Sequence, residues 1–193
     1  MAGSSTVEPD RQPVLYYDVG SPWCWLAAER AHEVLGTVPV WQPVLAPASD
    51  SARTEVHRAA VERRAAEQAI PQVRWPDPFP FDSELAMLVA TFAKQTGRAV
   101  AFSLAAMRQA FAAGRDLSVL DNVLIAAAAC ELHPRAVTKA LETRSVAAAL
   151  REATETARAD LGVTELPAIA VGGVVVAAGP DAPEHAVALR SGF

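Results

Sequence analysis

A serine and a cysteine stand three residues apart in the segment Ser21-Pro22-Trp23-Cys24, directly after a run of strand-forming residues that ends at Gly20. Helices favour serine at the N-cap and proline at the first helical position, so Ser21 is predicted to cap a helix that begins at Pro22. The free N–H groups and the dipole of a helix start favour an anion. A thiolate carried there by a ligand would also receive a hydrogen bond from the Ser21 hydroxyl. Because serine forms no disulfide, such a site would activate the thiolate without being oxidised by it.

Cys24 is the second chemical group of this segment. It shares a helical stripe with Ala27, Ala28 and Ala31, which predicts a side chain directed into the core. A helix start lowers the pKa of a thiol and burial raises it, so a catalytic role and a packing role both stay open for Cys24. A purely capping role stays open for Ser21. The other cysteine, Cys130, lies in an apolar helical run and is predicted to belong to the core.

Two further positions could belong to the same site. Pro167, in the segment Glu165-Leu166-Pro167-Ala168, precedes a second group of strand formers. Proline fits the start of a strand or a cis turn, and from the residue alone an ordinary strand start remains open. Asp18 lies three residues before Ser21 and could orient the loop, accept a proton or act as a simple loop acid.

The elements that must position these residues lie at the two ends of the chain. Residues 14–19 are predicted to form a buried strand and residues 24–35 a helix that ends at Gly36. Residues 38–44 are predicted to form an edge or short strand, because that segment contains two prolines. Near the other end, residues 168–171 and 174–178 flank Gly172-Gly173, the signature of a tight hairpin, and a helix over 182–190 follows.

The centre of the chain, from about residue 50 to 161, is alanine-rich and predicted to be helical, with a proline-rich loop in PQVRWPDPFPFD. Its predicted helices cover residues 53–68, 83–97, 100–113, 118–132, 134–142 and 145–161, the second capped by Asp82 or Ser83 and the fourth by a capping box of Ser118 and Asp121. The fold class is therefore α/β: a thioredoxin-like domain formed by residues 14–48 and 160–193, with an inserted all-helical domain at 49–159. Neither sheet fragment can bury both faces alone, so the two must meet.

Composition narrows the classes of function. The chain has 193 residues, a net charge of −5 and no basic face, which argues against nucleic acid and anionic membranes as partners. No apolar stretch approaches the length of a membrane span and the first residues contain no signal-like apolar region, so we expect a cytoplasmic protein. Its four histidines and two cysteines have no spacing typical of a metal site, and no metal is predicted.

Several segments together resemble the DsbA-like thioredoxin superfamily, and within it the branch of 2-hydroxychromene-2-carboxylate isomerase and kappa-class glutathione transferases. These segments are YYDVGSPWCWLA, DPFPFDSELA, MRQAFAAGRDLSVLDNVLIAAAA, GVTELPAIAVGG and AAGPDAPEHAVAL. They span the chain from about residue 14 to 190 in the order of the family. The turn Pro22-Trp23-Cys24-Trp25 also looks like that of the Cys-Pro-Trp-Cys oxidoreductases of this superfamily, with the first cysteine replaced by serine.

The resemblance implies roles for individual residues. Ser21 matches the serine that hydrogen-bonds the sulfur of glutathione, and Leu166 with Pro167 matches the cis-proline pair whose backbone binds the tripeptide. Asp181 matches an acidic residue near the glutamyl end of glutathione, and Trp23 in the Ser21 turn is assigned to thiol binding as well. Ala182 stands where the branch has arginine, so the thiol is left as glutathione or another low-molecular-weight thiol. The resemblance also implies a homodimer.

The sequence therefore predicts a thiol-dependent isomerase or transferase that acts on a small electrophilic, aromatic substrate. Ser21 would stabilise the thiolate, and the helical insertion with its proline-rich loop would supply an apolar substrate pocket. Two alternatives remain open: a monothiol disulfide oxidoreductase that uses Cys24, and a non-catalytic binding protein of the same fold.

Overall fold

A computed structural model describes residues 12–46 and 55–191 of the chain. In these residues the helices and strands follow one another as β1 (Val14–Tyr17), α1 (Pro22–Leu35), β2 (Val40–Pro43), α2 (Glu55–Glu67), α3 (Glu84–Gln95), α4 (Ala99–Phe111), α5 (Leu120–Ala128), α6 (Pro134–Leu141), α7 (Arg144–Ala159), β3 (Ala168–Val171), β4 (Val174–Ala178) and α8 (Ala182–Ser191). The predicted domain boundary at residues 48 and 49 lies outside the described residues, and the boundaries of the two domains stay a prediction.

The four strands form one mixed sheet in the order β2-β1-β3-β4. β1 pairs with β2 in parallel, as a strand-helix-strand unit requires, and β3 pairs antiparallel with both β1 and β4. β3 is buried along its whole length, as expected of an inner strand covered on both faces. β2, whose sequence contains prolines, lies at an edge of the sheet as predicted.

The helices pack around this sheet in two groups. α1 packs against α8, which also contacts β3 and β4, while α3 and α7 contact β2. The other main helix contacts join the central helices to one another, with α4 between α3 and α5, and both α2 and α4 also pack against α1. The order β-α-β, a run of helices and then β-β-α confirms the α/β, thioredoxin-like fold with an inserted set of helices.

One local prediction is wrong. Ser118 and Asp121 do not form a capping box, since α5 begins at Leu120 with Val119 as its N-cap and no side-chain cap. The Ser118 hydroxyl and its backbone N–H instead donate to the carboxylate of Asp116, at 2.8 Å each. A short acidic side chain two residues earlier offers this local turn as an alternative to the cap, and here the turn prevails.

A buried hydrogen bond ties the sheet to the central helices. The Tyr17 hydroxyl lies 2.6 Å from Ser103 Oγ, and both residues are fully buried. Burial raises the pKa of Tyr17 well above its usual range, so the phenol stays neutral and can share its proton with Ser103. The contact joins β1 to α4, which are far apart in sequence.

We predict that Tyr17→Phe lowers the free energy of unfolding by about 1–3 kcal/mol, because it leaves the Ser103 hydroxyl buried without a partner. Urea titration followed by circular dichroism measures the loss. The double variant with Ser103→Ala should lose little more than Tyr17→Phe alone, since both partners are then apolar. Additive losses from the two substitutions would contradict a coupled pair.

Candidate active site

The sheet brings the separate parts of the predicted site to one edge. Tyr16, near the end of β1, pairs with Ala168, the first residue of β3, and Ala168 pairs with Ala178, the last residue of β4. The turn that follows β1, the segment that precedes β3 and the loop that follows β4 are therefore neighbours. Ser21, the Leu166–Pro167 peptide and Asp181 lie in these three segments.

Ser21 caps α1 as predicted. Its backbone is extended, Pro22 is the first helical residue, and Ser21 Oγ accepts a hydrogen bond from the Cys24 N–H at 3.3 Å. The residue is partly exposed. A hydroxyl has two acceptor lone pairs and one donor, so capping occupies an acceptor and leaves the Ser21 proton able to turn toward a neighbouring sulfur.

The Cys24 thiol interacts with the Ser21 hydroxyl and is fully buried. Burial raises its pKa to about 12, although hydrogen bonds from the Asp18 backbone and the Ser21 hydroxyl act in the opposite direction. The inward direction predicted from the helical stripe is confirmed. At neutral pH the thiol is protonated, so desolvation outweighs the effect of the helix start on this residue.

Asp18 is buried at the start of the turn, and its side chain accepts three hydrogen bonds. Its Oδ1 accepts from Gly20 N at 2.8 Å, and its Oδ2 accepts from Ala46 N at 2.7 Å and from Ser83 Oγ at 3.1 Å. Asp18 is 2% exposed, and burial raises the pKa of its carboxyl group although these three donors limit the rise. It therefore binds the Ser21 turn, the segment after β2 and the start of α3 together.

Gly20 packs against the start of α3. A Cβ at this position would lie 2.8 Å from Ser83 Cβ, closer than real Cβ atoms approach. Ser83 is the N-cap residue of α3, as one of the two predicted alternatives had it, but its side chain makes no cap bond and turns to Asp18 instead. The central helices thus fix the position of the residue that immediately precedes Ser21.

The Leu166–Pro167 peptide bond is cis, as are the bonds Asp77–Pro78 and Phe79–Pro80 of the proline-rich loop. Gly179 N donates to the Pro167 carbonyl at 2.8 Å, which holds the loop after β4 beside this peptide. Leu166 lines a pocket with an open volume of about 200 Å³, together with residues of α7 and of the segment after β2, including Leu45 and Arg158.

Asp181 is already engaged in an ion pair. Its Oδ1 accepts from Arg64 Nη2 of α2, and the carboxylate is 43% exposed. A second ion pair close by joins Arg30 of α1 to Glu184 of α8. A ligand ammonium at Asp181 would therefore have to share that carboxylate with Arg64.

Helix α2 lies against the start of α1. The ring of Trp23 contacts the ring of His57 edge-on, with centroids 5.7 Å apart, and desolvation lowers the pKa of His57. Arg64 lies seven residues further along α2, or about 10 Å at 1.5 Å per residue. Because His57 contacts Trp23 and Arg64 contacts Asp181, α2 runs along one side of the site from the Ser21 turn to the loop after β4.

Sequence reasoning missed the residues that hold this site in place: Gly20, Ala46, Ser83 and Arg64. No spacing in the sequence could have paired Asp18 with Ser83 or Asp181 with Arg64, because each pair joins distant elements.

Among the residues that the structure describes, no group of three His, Cys, Asp or Glu could hold a metal ion. None of the helices within residues 12–46 and 55–191 is long and apolar enough to cross a membrane.

We predict that Gly20→Ala destabilises the fold by about 1–3 kcal/mol, because the new methyl group overlaps Ser83 Cβ. The φ of Gly20 lies outside the left-handed region, so steric overlap alone opposes the methyl group. In a Ser83→Gly background, which removes that Cβ, the same substitution should cost much less in urea denaturation. An equal cost in both backgrounds would show that Gly20 is needed for another reason.

Solved structures of other proteins share this fold. A 2-hydroxychromene-2-carboxylate isomerase superposes with a TM-score of 0.75 at 14% identity, covering 93% of each chain. A cytosolic disulfide reductase, DsbM of Pseudomonas aeruginosa, solved with glutathione, superposes with a TM-score of 0.64 at 17% identity over 94% of this chain and 98% of its own. At these identities the likeness is one of fold. No protein of curated function matches the sequence.

The sequence itself matches one family model. The model of the DSBA-like thioredoxin domain matches residues 14–188, a range that includes both sheet fragments, the central helices and all the residues of the candidate site. The chain belongs to the DSBA-like thioredoxin domain family.

Proposed function

We propose that this protein is a thiol-dependent isomerase or transferase in which Ser21 stabilises the thiolate of a bound low-molecular-weight thiol. The proposal rests on one observation, the difference between Ser21 and Cys24 within a single turn. Ser21 is partly exposed at a helix start and retains a donor, whereas Cys24 is fully buried with a pKa raised to about 12. The turn can therefore stabilise the thiolate of a bound ligand better than the thiolate of Cys24.

Three features would stabilise the ligand thiolate. The hydroxyl of Ser21 donates a charge-assisted hydrogen bond, which is stronger than a neutral one. The start of α1 contributes its dipole, and the first turn contains no acidic residue that would oppose it. The Leu166–Pro167 backbone at the same edge of the sheet offers polar groups to the rest of the thiol, beside the pocket lined by Leu166.

The chemistry follows from this placement. The bound thiol loses its proton to solvent, and the thiolate sulfur forms a bond to an electrophilic carbon of the substrate while an electron pair moves into the conjugated system. After rotation about the former double bond, return of the electron pair re-forms that double bond and breaks the carbon–sulfur bond, which releases the thiolate and gives an isomer. Retention of the carbon–sulfur bond, with protonation of the substrate, gives a conjugate.

Glutathione is the first thiol to test, since the disulfide reductase with the same fold was solved with it. Asp181 would bind the ammonium of the glutamyl end, in competition with Arg64, and Trp23 would flank the sulfur. The competition at Asp181 favours a thiol whose ammonium is weakly bound or absent, so the preferred thiol can differ from glutathione.

We predict that Ser21→Ala raises the pKa of the bound thiol and lowers the rate of thiol conjugation about 10- to 100-fold, the equivalent of one hydrogen bond to a charged group. Ultraviolet thiolate absorbance of the glutathione complex against pH measures the pKa. Transfer of glutathione to 1-chloro-2,4-dinitrobenzene measures the rate.

Two matched variants make this test specific. Ser21→Thr keeps a hydroxyl and a cap and should retain most of the activity. Ser145→Ala, at an exposed position of α7, should leave both the pKa and the rate unchanged. An unchanged thiol pKa in Ser21→Ala, with the thiol still bound, would rule out the proposed role of the hydroxyl.

We predict that Cys24 reacts with iodoacetamide about a thousandfold more slowly than an unperturbed cysteine at neutral pH, because its pKa is raised from 9.0 to about 12. The Cys130→Ser variant leaves Cys24 as the single thiol, so mass spectrometry reports its reaction alone. Urea should restore rapid alkylation. Fast reaction of the folded protein would instead favour a monothiol oxidoreductase that uses Cys24.

A further inference from the structure

Helix α2 is held beside the candidate site by few apolar contacts. Among the α2 residues whose burial the structure describes, only Val61 and Ala65 are buried, whereas buried side chains run along the whole of α1. Within the described residues, the main contact of α2 with another helix or strand is with α1. A helix with so little buried apolar surface opens locally at a lower free energy than the core of the protein.

Ion pairs and a side-chain amide hold the C-terminal end of α2. Arg64 donates to the carboxylate of Asp181, which directly precedes α8. The amide of Gln68, oriented so that both neighbours are satisfied, accepts from Arg64 Nε at 2.9 Å and from Arg30 Nη1 at 2.8 Å. Arg30 in turn pairs with Glu184 of α8. Polar contacts of this kind join α2 to α1 and α8, and water can replace each of them.

Two of the residues that α2 contacts are those assigned to the bound thiol. The ring of His57 packs edge-on against Trp23, and Arg64 pairs with Asp181, so α2 cannot move away without uncovering both. The chain leaves α2 through Ala69, whose φ of 54° lies in the left-handed region that residues with a Cβ rarely adopt. Backbone conformations of this kind are enriched at switch regions.

We propose that α2 is a gate over the thiol site, which the ion pair between Arg64 and Asp181 holds closed and which opens in a minor population of the free protein. The inference rests on the proposed function, since it takes the Ser21 turn as the site that the gate covers. Opening breaks the Arg64–Asp181 pair and the Trp23–His57 contact together. A thiol whose ammonium binds Asp181 therefore opposes closure, whereas a thiol without an ammonium leaves the pair intact.

The ion pair suits a gate because it is weak enough to break. The side chains of Arg64 and Asp181 are 30% and 43% exposed, so water and salt screen the attraction between them. A pair of this kind shifts the balance between an open and a closed state only a few-fold, which keeps the open state populated.

Hydrogen exchange of the intact protein without any thiol, followed by mass spectrometry, tests the opening. Amides of α2 should exchange faster than those of β3. Arg64→Met and Asp181→Asn should each speed the exchange of α2 about two- to fivefold, the equivalent of one partly exposed ion pair, and leave that of β3 unchanged. The double variant should exchange no faster than either single variant, since the same pair is lost.

Labelling of a thiol at position 21 tests whether this opening controls access to the site. In a Ser21→Cys variant that also carries Cys24→Ala and Cys130→Ser, alkylating reagents meet one thiol alone. Arg64→Met should raise the labelling rate of the bulky, neutral N-(1-pyrenyl)iodoacetamide, relative to that of the small iodoacetamide, by the same factor as the exchange of α2. No bound thiol takes part, so the result stands even if Ser21 does not stabilise a ligand thiolate.

A matched control and a second variant make the outcome decisive. Arg63→Met, at an exposed arginine of the same helix, should change neither the exchange nor the labelling. Exchange of α2 no faster than that of β3, unchanged exchange of α2 after loss of the ion pair, or faster exchange without faster labelling would each overturn the proposal. Should Arg64→Met fail to fold by circular dichroism, Asp181→Asn decides, because it breaks the same pair from the side of α8.

Discussion

Antiparallel pairing of β1 with β3 is the constraint on which the rest of the structure depends. It places residue 14 opposite residue 170, so the two ends of the chain complete one sheet around an intervening run of helices. Closing so long a loop has an entropic cost that local contacts cannot offset. The burial of all four β3 residues offsets that cost. Without this pairing the Ser21 turn and the Leu166–Pro167 peptide would not be neighbours.

The hydrogen bonds of the Asp18 carboxyl group constrain the structure in addition to the burial of β3. A buried carboxyl group is costly unless hydrogen-bond partners surround it, and Asp18 meets this condition with two backbone N–H groups and one hydroxyl. Each donor comes from a different segment, so only one relative placement of the Ser21 turn, the segment after β2 and α3 satisfies the carboxylate. Its bond to Ser83 makes the position of the Ser21 turn depend on the central helices.

Periodicity and turn chemistry were sufficient to predict the elements, because they are local properties. The Ser21-Pro22 cap, the hairpin at Gly172-Gly173 and the edge position of β2 all follow from a few adjacent residues. The capping-box prediction at Ser118 was wrong because it also rested on local signals. The nearby Asp116 forms a turn with the same hydroxyl and so prevents the cap.

The partners of Asp18 and Arg64 could not be predicted, because each contact joins elements whose relative placement is decided by packing. Asp181 illustrates the limit: its position beside the site followed from a family resemblance, but its ion pair with Arg64 of α2 did not. The sequence therefore predicted which segments meet at this edge of the sheet more fully than it predicted the electrostatic state of their residues.

Hydration decides which sulfur this turn can hold as a thiolate. Cys24 and a ligand sulfur near Ser21 would share the start of α1 and the Ser21 hydroxyl, and both would experience the charge of Asp18. The helix start contributes at most about 2 kcal/mol to an anion and the hydroxyl about 1.5–3 kcal/mol, yet these do not prevent the pKa of Cys24 from rising to about 12. Full burial is thus the larger effect for Cys24. In the proposed function, a ligand sulfur beside the partly exposed Ser21 would keep part of its hydration, so the same two interactions would lower its pKa instead of only limiting a rise. On that proposal, the serine would favour the thiolate of a bound ligand over that of Cys24.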